Sequence, residues 1–135
     1  MIDLASRPAG VRTDRADIAV RHGIPPTYLD QIVLRLKKAG LIESHRGRMG
    51  GFFLTRSPEQ ITALDIVEAV ESDIAPVVCL EAGQQCTKAD ACISRSGWNL
   101  VFSAMRSSIQ GISLANLAAA EKVVPQFEMR TGAPQ

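Results

Sequence analysis

All three cysteines of the chain, Cys79, Cys86 and Cys92, fall in one short stretch, CLEAGQQCTKADAC, with six residues in the first interval and five in the second. Those intervals favour some chemistries over others. A zinc site normally shows a shorter cysteine bite and a nearby fourth Cys or His, whereas the two histidines, His22 and His45, lie far upstream. Zinc is therefore poorly signalled. Dithiol redox chemistry of the thioredoxin type needs a Cys-x-x-Cys pair, which is absent. A thiol nucleophile needs an adjacent base, and no local Cys–His arrangement supplies one. Iron-sulfur ligation tolerates the wider spacing, because a cluster is larger than a single ion and a loop can wrap it. Three thiolates leave one coordination position to a weaker ligand, and a cluster so held is easily lost, oxidised or attacked. That suits a sensor better than an electron carrier. Three ordinary free thiols in a reducing compartment are the plain alternative.

The rest of the chain must position this loop. Its 135 residues suit one domain, or one domain with an accessory helix. No apolar run approaches the roughly 18 residues of a membrane span, and no leader pattern opens the chain, so a cytoplasmic protein is expected. The odd cysteine count argues against a disulfide framework. The net charge of +1 conceals an asymmetry: residues 1–56 carry 10 Lys+Arg against 5 Asp+Glu, and residues 57–135 carry 5 against 9. A basic front half is what a polyanionic partner would select, although a solvated face of mixed charge would produce it too.

Within RTDRADIAVRHGIPPTYLDQIVLRLKKAGLI the pattern predicts two helices with a tight joint. Thr13 is expected to cap a helix over 14–22, which Gly23 ends. Pro26 suits the first position of the next helix, which runs to about Ala39 before Gly40. On that helix Leu29, Ile32, Val33 and Leu36 line one face, while Thr27, Tyr28, Gln31, Arg35 and Lys38 gather on the other. Short strands are expected at 42–45 and 52–55, joined by a turn in which Gly47, Gly50 and Gly51 permit reversal and Arg46 and Arg48 project. This is the outline of a winged helix-turn-helix. A third helix follows, with Thr62 and Asp65 at capping-box spacing and Ala63, Ile66, Val67 and Val70 on one face. Beyond the cysteines, Trp98, Val101, Phe102, Met105, Ile109 and Ile112 form a stripe along a long helix, which suits pairing with a twin or packing back on its own domain. A short helix capped by Ser113 closes the pattern. The expected fold class is mainly α with a small β-hairpin wing: a winged helix-turn-helix plus a long C-terminal dimerisation helix. The expected segments are a DNA-binding domain at 1–75, the cysteine loop at 76–94, the dimerisation and short terminal helices at 95–124, and a loose tail at 125–135.

The chemistry of the first half follows from its side chains. In a major groove Gln31 can contact adenine through both its amide atoms, and Thr27 can meet a thymine methyl, with Tyr28 beside them. Arg35 and Lys38 are better placed for phosphates, and Arg46 and Arg48 for a narrow minor groove. Arg46→Ala is accordingly expected to weaken operator binding and flatten its salt dependence by about one phosphate's worth, read from a salt titration of affinity.

These residues carry a resemblance. The stretch GIPPTYLDQIVLRLKKAGLIESHRGRMGGFFLTRSPEQITALDIVEAVE, the three-cysteine loop and GISLANL together resemble the IscR/NsrR/RirA-type (Rrf-type) family of winged-helix iron-sulfur regulators, over about residues 2–118. The resemblance implies a homodimeric transcription factor, usually a repressor, on a palindromic operator in double-stranded DNA, and not an enzyme. It implies a cluster, two-iron or four-iron, that reports iron supply, nitric oxide or redox state, with Cys79, Cys86 and Cys92 as its ligands. It makes Thr27, Tyr28 and Gln31 reading-helix positions and Arg46 the wing arginine. Two features depart from the pattern. Family members usually begin earlier, with most of a first helix of which MIDLAS is only the end, so either the start lies upstream or DNA binding is weakened. Some members take a His three residues after the last cysteine as fourth ligand, where this chain has Arg95, which keeps its proton and cannot ligate. Alternatives are a cluster-free regulator sensing through thiol and disulfide exchange, a small thiol enzyme, and a truncated adaptor without DNA binding.

Overall fold

The computed structural model describes residues 1–8, 11, 13–45, 51–71, 74–81, 83–84 and 86–121, with backbone alone at 45, 90 and 121. The wing-tip residues Arg46 and Arg48 and the expected tail at 125–135 lie outside that set. Six helices and a two-stranded antiparallel sheet make up the described regular structure apart from short 3₁₀ turns: α1 (Ile2–Ala5), α2 (Arg15–His22), α3 (Pro26–Lys38), β1 (Ile42–His45), β2 (Gly51–Leu54), α4 (Ala63–Val70), α5 (Ile93–Gln110) and α6 (Leu114–Glu121).

The helix-turn-helix forms where capping and punctuation dictate, with one correction. Asp14, not Thr13, caps α2, its Oδ1 accepting from the Ala16 N–H at 2.7 Å. Thr13 is drawn into the sheet instead, exchanging backbone hydrogen bonds with Phe52 and retaining only 2% exposure. An extended residue flanked by a free sheet edge pairs there, and its aspartate neighbour supplies the cap. Gly23 closes α2 as the sequence suggests. Pro26 opens α3. At the other end Gly40, at φ +69, lets the Leu41 N–H reach the Leu36 carbonyl while its own N–H reaches that of Lys37, both at 3.0 Å. This satisfies orphan carbonyls and seats Leu41 against Leu36 in the core.

β1 and β2 pair with Ile42 opposite Leu54 and His45 opposite Gly51. The second strand begins one residue before the expected Phe52 and stops one short of Thr55, whose N–H still bonds the Leu41 carbonyl. α4 carries the full capping box, Thr62 and Asp65 exchanging bonds at 2.9 and 3.1 Å. Its buried residue is Leu64, just off the anticipated face, while Ile66 and Val70 pack on the core as expected.

The core is Leu36, Leu41, Ile42, Ile61 and Leu114, with side chains of α1, α3 and α4 packed around it. Leu114 belongs to α6. A short antiparallel bridge joins Thr62 to Ser113, with Leu114 N–H to Ile61 carbonyl at 2.7 Å and Ala63 N–H to Ile112 carbonyl at 2.8 Å. Ser113 and Asn116 then cap α6 reciprocally. α6 thus returns to the winged-helix core and lies against α1. The 18-residue α5 buries none of its side chains. Phe102, Met105 and Ile109 are half-buried, whereas Trp98 and Val101 stand exposed.

Candidate nucleic-acid interface and cysteine loop

α3 presents two opposed faces, as its spacing requires. Leu29 and Leu36 are buried, and Thr27, Tyr28, Gln31, Arg35 and Lys38 are exposed on one continuous helix. Tyr28 keeps 55% of its surface, enough for the ring to meet a base or sugar. The joint between α2 and α3 is braced by Arg15, whose Nη1 donates to both Asp30 carboxylate oxygens at 2.7 and 2.8 Å. Sequence reading missed this pair, since side chains 15 residues apart meet only once the helices are packed. Its stability contribution is small, about 0–1 kcal/mol for an exposed pair. The pair sets a cation against the one carboxylate on the reading helix. Lys37 is likewise drawn aside, donating to Ser44 Oγ at 2.8 Å and tying the end of α3 to the wing.

The two cations expected at phosphates part company. The Lys38 ammonium has no ion-pair or hydrogen-bond partner among the described residues and stays exposed. Arg35 turns its guanidinium onto α4, where Nη1 donates to the Val70 carbonyl. His45 and Gly51 pair at the base of the wing, and Arg46 and Arg48, between them in sequence, lie outside the described residues.

The cysteine segment joins α4 to α5. Cys79 sits in a 3₁₀ turn at Val78–Leu80, and Cys92 is the residue immediately before α5, following a second such turn at Ala89–Ala91. Between Cys79 and Cys86 the chain reverses at Gly83, whose φ of +80 a side-chain-bearing residue adopts only with strain. All three thiols are free and half-buried. As a donor set they fit an iron-sulfur cluster: three soft sulfur ligands, none consumed in a disulfide, on a segment of short turns. Among the described residues no three His, Cys, Asp or Glu side chains are gathered as a metal-binding group, so binding would have to draw the loop together. No described helix is long and apolar enough to cross a membrane.

A helix-turn-helix with an exposed polar reading face, followed by a two-stranded wing, defines a winged-helix DNA-binding regulator. The family model described as "Rrf2: Iron-dependent Transcriptional regulator" matches residues 1–120. The chain belongs to the Rrf2 family of DNA-binding transcriptional regulators, whose named relatives are regulators and not enzymes. Protein rrf2 of Nitratidesulfovibrio vulgaris is 32% identical over 126 residues, covering 93% of this chain and 84% of that one. The regulator IscR of Aliivibrio salmonicida is 32% identical over 123 residues, covering 91% and 73%. Among solved structures, CymR, the global cysteine regulator of B. subtilis, superposes with a TM-score of 0.70 at 33% identity, covering 88% of this chain and 87% of that one. IscR of T. potens also reaches 0.70, at 29% identity, covering 93% and 83%. An oxidised form of Staphylococcus aureus CymR reaches 0.69 at 27% identity, covering 87% and 85%.

Proposed function

We propose that the chain is a cytoplasmic, homodimeric repressor whose hold on a palindromic operator is governed by a labile iron-sulfur cluster at Cys79, Cys86 and Cys92. The observation that carries this reading is that every thiol of the chain is free and sits in the one segment joining α4 to α5. Thr27, Tyr28 and Gln31 read base edges, Lys38 meets phosphate, and Arg46 and Arg48 reach the minor groove from the wing. The exposed Trp98 and Val101 stripe of α5 supplies the apolar surface that a second copy would cover. When bound, the cluster supplies a redox-, iron- or nitric-oxide-sensitive group whose loss is the signal. The chain's own part is positional. A dimer must present its two α3 helices about 34 Å apart to meet successive major grooves. Drawing Cys79 toward Cys92 draws the end of α4 toward the start of α5, and so adjusts that spacing.

A second reading keeps the DNA chemistry and replaces the cluster by disulfide formation among the same thiols. The structural neighbour captured in an oxidised form favours it. Native mass spectrometry of oxygen-protected protein separates the two. The cluster reading expects two chains plus an iron-sulfur mass, with visible colour. Iron-free dimers that lose two protons per chain on oxidation support the disulfide reading, and a monomer without iron overturns the proposal.

A further inference from the structure

We infer that Arg35 is a positioning residue for DNA binding, a tie between the reading helix and the last turn of α4, and not a phosphate contact. Val70 is the final residue of α4, and its carbonyl belongs to the set that a helix leaves without an internal partner. The Arg35 guanidinium donates to it, placing a cation at the negative end of the helix dipole. The same turn is held from the opposite element: Arg106 of α5 pairs with Glu68 at 2.5 Å and lies over the Phe102 ring, 5.7 Å from its centroid. Arg35, Lys38, Glu68, Val70 and Glu71 line an open groove of about 370 Å³ at this junction. The cysteine segment leaves from it, with Cys79 eight residues beyond Glu71. One helical turn is therefore tied both to the reading helix and to the long helix, at the root of the thiol loop.

The bond to the α4 carbonyl turns the Arg35 guanidinium toward α4, whereas the Lys38 ammonium, one turn further along, has no side-chain partner among the described residues and is available to a phosphate. The reading helix packs on α4 through the core, and Arg35 adds a directional tie at the end of α4 where the cysteine segment begins, so a displacement starting in that segment reaches the DNA-facing side chains through this junction.

The test uses the full chain and a duplex selected from random DNA by the wild-type protein. Affinity is measured across salt concentrations for wild type, Arg35→Ala, Arg35→Lys and Lys38→Ala, each first checked by thermal melting, with Arg35→Gln replacing the alanine variant if that one melts early. Arg35→Ala is expected to bind about 2- to 30-fold more weakly with the salt slope unchanged. Arg35→Lys, whose ammonium can still reach the carbonyl, recovers most of that loss. Lys38→Ala is expected to lower the slope by about 0.9. An Arg35→Ala slope reduced by the same amount, or an affinity left untouched, overturns the inference. A second measurement rests on the sensing reading above: the ratio of affinities between reduced and oxidised protein should fall toward one in Arg35→Ala. If wild type itself shows no such ratio, the sensing reading fails, while the salt slope still decides the role of Arg35.

Discussion

Cys86→Ala protein, prepared without oxygen, is expected to emerge as a folded dimer that has lost its iron and visible absorbance and no longer changes its DNA affinity with redox state. Cys86 is the middle thiol of three, half-buried in the segment between two 3₁₀ turns, and it contributes nothing to the apolar core. Its removal should cost under about 1 kcal/mol of stability, the range of changes that open no cavity. The functional effect is far larger. On the proposed cluster reading, removing one of three thiolates leaves too few ligands to keep the cluster, so the coupling is lost with it, and coupling energies of this kind correspond to roughly 5- to 150-fold in affinity. Iron analysis with a binding assay on reduced and oxidised protein checks both halves. A variant that kept its iron and its response would remove Cys86 from the sensing site.

The largest structural effect is expected at Leu114→Ala. Leu114 is fully buried, sits in the same cluster as Leu36 of the reading helix, and anchors α6 through the Ile61 backbone bond. Truncating a leucine at such a site removes its transfer energy and leaves a cavity, a loss of about 3–4 kcal/mol. Against a total of roughly 5–15 kcal/mol, that is a large fraction of the molecule's stability. The melting temperature should fall by roughly 10–15 °C, and DNA binding should weaken at temperatures where wild type is unaffected. Leu100, which is 73% exposed on α5, makes the control. Leu100→Ala should alter the melt by no more than about 0.5 kcal/mol. Equal losses at the two positions would mean that α6 does not close the core.

Much of the site was legible before any fold was known. Leu29 and Leu36 on one side of α3, with Thr27, Tyr28 and Gln31 on the other, follow from helical periodicity alone. The Thr62–Asp65 capping box and the Gly23 and Gly40 stops follow from backbone chemistry confined to a few residues. The fate of individual polar side chains was not legible. Arg35 and Lys38 sit on the same exposed arc and differ only in that one finds the end of α4 and the other does not. Arg15 meets Asp30 from another helix, a pairing that no local spacing signals.

By itself the sequence determined the local features: the Gly23 and Gly40 helix stops, the Thr62 cap, which faces are apolar, and that all the thiols share one loop. These depend on propensities and spacings within a turn or two. Tertiary structure alone decided that Thr13 joins the sheet while Asp14 caps α2, that Leu114 carries α6 back into the core, and that α5 keeps Trp98 and Val101 exposed. The pairing of Thr13 with Phe52 and the return of Leu114 to Ile61 are set by partners distant in the chain, and a local pattern contains no term for a contact that exists only after the elements have packed.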